Sequence, residues 1–482
     1  MKTSNKSVAK NAVLNVIKTI CNIAFPLITI PYVSRILHVE NVGKYNFANS
    51  IVNYFSLFAS LGISTFAIRE GSRLREDRNK IDKFSSNVFT INLISTLLSY
   101  IALIICVLVF RKLQEDKAVI YILSISIILT TIGCEWIFNI YEDFEYITIR
   151  TIVIQIVSAI ALFMIVKSKD DLLNYALISV ISSSGANILN AITRRKYCKV
   201  RITFNKDLIR MLKPIMLLFF NNIATTVFVN SDVTMLGILS GNYATGLYSI
   251  SSKIYIVVKS LLSAIIIVSI PRLSACLTIG NNKLYKQMAD NIFDSLITIV
   301  APTVVGMFAL SKNIICIIGG NEYIKATSSL KILSIALIFS IFSWFYSDCV
   351  LIANRKDKEL LLATTTAAIV NVVLNFILIP FFNQNAAAVT TVIAEFISVI
   401  ICVCKSDGIY KYKVNLKELL VVFLGCAGIM LICYLSTTFI NSVLLSTITA
   451  VLVSILVYFI LLKITNNRVL NYFLRKLNKK NY

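Results

Sequence analysis

The stretch Gly43-Lys44-Tyr45-Asn46-Phe47-Ala48-Asn49-Ser50-Ile51 opens an apolar run that continues to Phe66. A kindred stretch, Gly246-Leu247-Tyr248-Ser249-Ile250-Ser251-Ser252-Lys253-Ile254, opens another run 203 residues later. The only two tryptophans, Trp136 and Trp344, stand 208 residues apart. Six apolar segments separate the equivalent positions. An even number gives both halves one orientation, so the sequence predicts a parallel repeat about an axis along a membrane normal. Repeats of that kind place a site between two lobes that opens alternately to each face.

The composition makes the membrane unavoidable. Of 482 residues, 57% are apolar and 15% charged, against about 25% charged in soluble domains. A mean hydropathy of +0.79 leaves far more apolar side chain than a water-soluble globule could bury. Soluble enzymes, secreted domains and disordered binders are excluded. The predicted class is an all-α polytopic membrane protein.

A helix needs about 20 residues to cross the hydrocarbon. Fourteen segments qualify: 12–34, 43–66, 85–110, 118–140, 146–166, 172–192, 214–239, 243–271, 291–311, 326–353, 359–381, 385–404, 416–437 and 440–463. The predicted organisation is an N-terminal lobe over 1–192, a cytoplasmic linker over 193–213 and a C-terminal lobe over 214–404. Spans 13 and 14 with a basic tail, 405–482, fall outside the repeat. The connections are too short for an extramembrane domain. No cleavable signal peptide is expected, because Met1 to Lys10 is polar and the first apolar run is too long for one.

A net charge of +23 would suggest nucleic acid in a soluble chain, but here the basic residues cluster between apolar runs and report topology, so no nucleic-acid partner is expected. With fourteen spans, one side carries 34 Lys/Arg and the other 10. The positive-inside rule then puts both termini in the cytoplasm. The 11 cysteines contain no CxxC pair and sit mostly within apolar runs, as small buried hydrophobes. A single histidine, His38, leaves little for His-based catalysis or metal binding, so neither a metal nor a cofactor is expected. Asp170-Asp171 supplies only half of an acidic metal motif.

Polar side chains inside spans mark faces that meet protein or water. In span 1, Asn11, Asn15, Lys18 and Asn22 recur at helical spacing, and span 2 repeats the pattern with Asn46, Ser50, Asn53 and Ser60. Span 7 offers Asn221, Thr225 and Asp232; span 8 offers Ser249, Ser252, Lys253, Ser260 and Ser263. Asn, Ser and Thr serve helix–helix hydrogen bonding as readily as a cavity. Charges such as Lys18, Asp232 and Lys253 point to a cavity, although Lys253 stands near enough to the outer surface to snorkel. Glu135, Asp348 and Glu395 are acids that could take a proton, bind Na⁺, or pair with a buried Lys or Arg. Pro26 deprives the Asn22 carbonyl of its helical donor, which predicts either a gating hinge or a static kink in span 1.

Three groups of residues carry a family resemblance. They are Ser34-Arg35-Ile36-Leu37 with Glu40, Gly43, Tyr45 and Phe47-Ala48; Leu61-Gly62-Ile63 with Ala67-Ile68-Arg69-Glu70 and Arg73; and Asn371, Asn375, Ile379-Pro380, Ala386-Ala387-Ala388, Thr390-Thr391 and Glu395. Together they resemble the Wzx-like O-antigen and capsular polysaccharide flippases of the multidrug/oligosaccharidyl-lipid/polysaccharide exporter superfamily. The chain departs from that pattern at Asn383-Gln384-Asn385, where the family usually has glycines, and at Asn139, where it often has one. The resemblance implies two six-helix lobes around a V-shaped cavity, with two extra helices, in a bacterial inner membrane. It also implies a substrate, an undecaprenyl-pyrophosphate-linked oligosaccharide moved from the inner to the outer leaflet for surface polysaccharide assembly.

On that reading Lys18 and Lys253 are the candidate phosphate partners, with Arg35 and Arg69 at the rims and Asn15 and Asn53 facing sugar hydroxyls. Asp232, Asp348, Glu395 and Glu135 are the candidates for coupling to H⁺ or Na⁺. Polymerases and glycosyltransferases of the same pathway are the expected protein partners. The alternatives are a drug/Na⁺ or drug/H⁺ antiporter of the same superfamily, whose cavity should be acidic, and a membrane polysaccharide polymerase, which needs a larger extramembrane loop. The topology has a direct test. Cysteines placed at Gln114, Asp170 and Asn321 should react with an impermeant reagent added outside, and cysteines at Asn79, Lys199 and Asn467 should not. Strong outside labelling at Lys199 would overturn the fourteen-span arrangement.

Overall fold

A computed structural model describes residues 8–412 and 415–471, and the described residues form helices and connecting turns with no strand. The chain divides into two compact units, Met1–Gly246 and Leu247–Tyr482. The first contains α1 (Val8–Ser60), α2 (Ile63–Leu74), α3 (Arg78–Val109), α4 (Arg111–Glu115), α5 (Lys117–Gly133), α6 (Glu135–Ile140), α7 (Phe144–Ile165), α8 (Leu172–Ser184), α9 (Ala186–Thr193) and α10 (Asp207–Leu239). Helix α11 (Gly241–Thr278) begins there and continues into the second unit, which adds α12 (Asn282–Ala309), α13 (Ser311–Ile318), α14 (Thr327–Trp344), α15 (Asp357–Lys405), α16 (Leu416–Phe439) and α17 (Val443–Ile464). Eleven of the described helices are long and apolar enough to cross a membrane. The protein is an all-α, multi-pass membrane protein. Helix α10, grouped by sequence with the second lobe, packs on α1 within the first unit.

Two of these helices are too long for one crossing. Helices α1 and α15 have 53 and 49 residues. At 1.5 Å per residue each would measure roughly 75–80 Å, more than twice the hydrocarbon thickness. Each breaks once, at a non-glycine residue with positive φ: His38 (φ 61°, ψ 172°) and Asn383 (φ 49°, ψ −130°). Such conformations cost about 1–3 kcal/mol each and persist where the surroundings dictate them. Around Asn383 they do. Thr390 Oγ1 donates to Asn375 Oδ1 (2.6 Å) across the break, and Asn385 Oδ1 accepts from Ser328 (2.7 Å) and Ser329 (2.8 Å) of α14. Asparagine thus makes the turn for which glycine would be the usual residue, and its neighbour adds a tether that glycine lacks. Pro26 lies inside α1, and the departure from helical geometry falls at His38.

The two repeated stretches meet at their glycines. A Cβ on Gly43 would overlap the carbonyl of Asn242, and one on Gly246 would overlap the carbonyl of Val39. Val39 and Gly43 are one helical turn apart, as are Asn242 and Gly246, so the contact is reciprocal. Nearby, a Cβ on Gly237 would strike the ring of Phe47, itself fully buried. Small residues allow this approach, and backbone packing of this kind is a main source of helix association in lipid.

A second repeated device lies on α3. The extended segment after α9 donates backbone N–H groups of Lys199, Arg201 and Thr203 to Asp82 Oδ1 (2.8 Å), Ser86 Oγ (3.1 Å) and Thr90 Oγ1 (3.0 Å). Two extended residues advance about 6.6 Å and four helical residues about 6.0 Å, so alternate strap residues stay in register with successive turns. In the second unit Tyr410 and Tyr412 donate to Asp290 (2.8 Å) and Asp294 (2.5 Å) of α12. Asp82 and Asp290 are separated by the 208 residues that separate the tryptophans, as are Ser86 and Asp294. At the start of α3, Asp77 accepts from the N–H groups of Lys80 and Asn79 (3.1 Å each). Those bonds and the Lys80 ammonium hold its carboxyl below the usual carboxylate range.

The glycine crossing predicts a specific cost. Gly43→Ala and Gly246→Ala should each destabilise the protein by about 1–3 kcal/mol, the usual penalty for overfilling a tight contact. Gly306→Ala, whose Cβ would meet nothing within 4 Å, should not. Thermal unfolding in detergent checks this, and equal midpoints for all three would refute the crossing.

Candidate functional site

In the first unit three charges from three spans converge. Helix α5 stops at Cys134, in the left-handed conformation (φ 45°, ψ 49°), and α6 restarts with Glu135 as its first residue. Glu135 Oε1 accepts from Lys18 Nζ of α1 (3.1 Å), and Oε2 accepts from Arg150 Nη2 of α7 (2.9 Å). Two cations therefore share one carboxylate. The Arg150 side chain is 3% exposed, with its guanidinium 5.6 Å from the centre of the Tyr146 ring. Lys18 and Glu135 are more open, at 25% and 37%. The short turn after α6 is acidic, but Glu142 pairs with Arg75 (2.9 Å) and Asp143 accepts from the Tyr197 hydroxyl.

The second unit has its own cluster. Glu395, almost enclosed in α15, accepts from Lys259 Nζ of α11 (2.9 Å) and the Tyr255 hydroxyl (3.3 Å). The Lys259 ammonium lies 5.9 Å from the Trp344 ring centre, and the Trp344 indole N–H donates to Asp348 Oδ2 (2.9 Å). Asp348 stands in a π-helical segment, Phe345–Ile352, directly after Trp344. Isolated π turns are rare and concentrate at functional sites. Both units thus interrupt regular helix beside their single tryptophan.

The structure regroups the residues expected to act. Lys18 and Glu135, assigned by sequence to phosphate and to ion coupling, hold one another. Glu395 is paired with Lys259, a lysine inside the span expected over 243–271. Arg150, one turn inside the span expected over 146–166, is the most deeply buried member of its cluster. Asn53 donates to Asn230 Oδ1 of α10 (3.1 Å), and Ser50 accepts from Thr234 (2.8 Å), so this stripe serves helix pairing. Arg35 and Arg69 are exposed, Arg35 donating to the Pro31 carbonyl and Arg69 pairing with Glu70. Asp232 is buried in α10, and Lys253 is half-buried in α11. The side chains of Asn11, Asn15, Asn22 and Asn221 lie outside those described. Asp171 accepts from the N–H groups of Lys167 (3.0 Å) and Ser168 (2.9 Å), which makes it a turn and capping residue. Among the described residues no His, Cys, Asp and Glu group is arranged to hold a metal ion.

Comparison with known proteins places this architecture. One relative, from Escherichia coli K12, is named "Putative O-antigen transporter"; it is 22% identical over 403 residues, spanning 82% of this chain and 95% of the relative. A second, "Capsular polysaccharide biosynthesis protein CapF" of Staphylococcus aureus, is 24% identical over 403 residues, 80% of this chain and 95% of its own. Among solved structures, a lipid II flippase MurJ in an inward closed conformation shares the fold, with a TM-score of 0.73 over 95% of this chain and 98% of that one, at 18% identity. The profile of the family described as "Polysaccharide biosynthesis protein" matches residues 8–277, more than half of the chain. The chain belongs to that polysaccharide biosynthesis family.

Proposed function

We propose that this protein is a flippase for lipid-linked oligosaccharides, carrying an undecaprenyl-pyrophosphate-linked repeat unit from the inner to the outer leaflet of a bacterial cell membrane, with both termini in the cytoplasm. The observation that carries this reading is the surplus of cation over acid at Glu135, where Lys18 and Arg150 share one carboxylate. The family, and the O-antigen and capsular names of the relatives, support the substrate class.

The chemistry fits the task. A diphosphate-sugar head cannot cross about 30 Å of hydrocarbon unaided. Fixed cations replace its water, hydroxyl and amide side chains take its sugar hydroxyls, and the prenyl tail stays in lipid. Lys18 and Lys253 serve as the phosphate partners, and movement follows alternating access. Asp348 is the acid assigned to ion coupling, since Glu135 and Glu395 are already held by cations. A drug-exporting relative of the same superfamily would need carboxylates open to a cationic substrate, and those two are each paired with a cation of the chain itself. Polymerases and glycosyltransferases supply and consume such repeat units, and the protein works beside them.

The test is surface glycan in a strain lacking the native gene, with membrane levels of each variant measured separately. Lys18→Ala and Lys253→Ala should each abolish export, Lys253→Arg should keep part of it, and repeat units should accumulate on the inner leaflet. Normal surface glycan in both alanine variants would overturn the cationic-site reading.

A further inference from the structure

We infer that Arg150 is a positioning residue that frees Lys18 for the substrate's diphosphate by holding Glu135 in its place. The inference rests on the flippase reading above and assigns separate roles to the two cations on one carboxylate.

Their settings differ sharply. Arg150 is 3% exposed and sits beside the rings of Tyr146 (5.6 Å) and Phe138 (6.0 Å). Enclosed in this way, it cannot reach a ligand without dismantling its packing. Its guanidinium is planar, always charged and matched to a carboxylate. Lys18 is 25% exposed, approaches the other oxygen of Glu135, and carries its charge on a flexible four-carbon stem. One cation is fixed and the other can move.

The carboxylate between them explains why both are needed. If Lys18 were its only partner, withdrawing the ammonium toward a diphosphate would strand a half-buried negative charge, and removing one partner of such a pair is strongly unfavourable. With Arg150 on Oε2, Glu135 stays neutralised after Lys18 leaves Oε1. Lys18 can then exchange a carboxylate for a phosphate oxygen without leaving an unpaired acid behind. In the empty site Glu135 holds Lys18 by the 3.1 Å ion pair at Oε1. The hydrogen bond from Thr148 Oγ1 to the Leu14 carbonyl (3.3 Å) keeps α7 and α1 adjacent while this exchange occurs.

The experiment uses the purified full-length protein in detergent with farnesyl diphosphate as probe, its affinity read by titration and folding by thermal midpoint. Arg150→Gln should weaken binding about tenfold, although Arg150 touches no ligand, because Glu135 then competes for Lys18. Arg150→Lys should recover most of that loss. Arg150→Gln combined with Glu135→Gln should return affinity to wild type or better, since the competing acid is gone, and Lys18→Ala should lose binding in every background. A double variant as weak as Arg150→Gln alone would overturn the inference, because a structural or ligand-contacting arginine gives that result. If Arg150→Gln does not fold, Glu135→Gln alone decides: binding at least as tight as wild type supports the inference and weaker binding overturns it. Failure of the wild type to bind the probe would overturn the flippase reading and this inference with it, whereas wild-type binding unaffected by Arg150→Gln overturns the inference alone.

Discussion

The packing of the first unit depends on a contact between backbones that only glycine allows. Gly43 against Asn242, and Gly246 against Val39, bring α1 and the first turn of α11 together with no side chain between them. Lipid offers no hydrophobic reward for burying one apolar helix against another, so close packing and hydrogen bonds must hold the bundle. Once the glycines set this crossing, Phe47 falls against Gly237, and the polar stripe of α1 comes within reach of α10. Ser50 and Asn53 then bond to Thr234 and Asn230, where lipid would have left them unsatisfied.

The charges follow from the same scarcity of partners. A lone acid or base near the middle of a span costs about 2.5–3.5 kcal/mol by insertion measurements. The protein meets that cost by clustering. Glu135 takes two cations, and Glu395 takes Lys259 and the Tyr255 hydroxyl. The two clusters differ in balance, one carrying an extra positive charge and the other neutral as an ion pair.

Much of this was legible in the chain itself. Apolar runs gave the helices, the repeated glycine stretches and the tryptophan spacing gave the duplication, and the polar stripe of span 2 marked a face that bonds to another helix. The pairings were not legible. Helical spacing says which residues share a face, but not toward which distant helix that face turns. Lys18 and Glu135 are 117 residues apart, and Lys259 and Glu395 are 136 apart. Residues assigned separately to phosphate and to ions therefore proved to be partners. Arg150 was hidden for a related reason: one turn from a span end, it reads as a topological charge until the fold encloses it. The breaks at His38 and Asn383 fall in the connections at 35–42 and 382–384 that the apolar runs leave between spans, although neither residue is the glycine that usually marks such a turn.

The straps bear on how the chain is made. Each follows the last span of its repeat and grips the third, so when its residues leave the ribosome every helix it must meet has already been delivered. The loop that the first strap closes is long, about 115 residues from Ser86 to Arg201. In a free chain, closing it would cost about 4 kcal/mol of entropy. With the spans already inserted and packed, most of that cost has been met beforehand. The strap therefore acts as a final stitch rather than a nucleus. Because its counterpart recurs 208 residues on at Asp290 and Asp294, the duplicated segment must have included its own fastening, and each copy can be finished in the order in which it is synthesised.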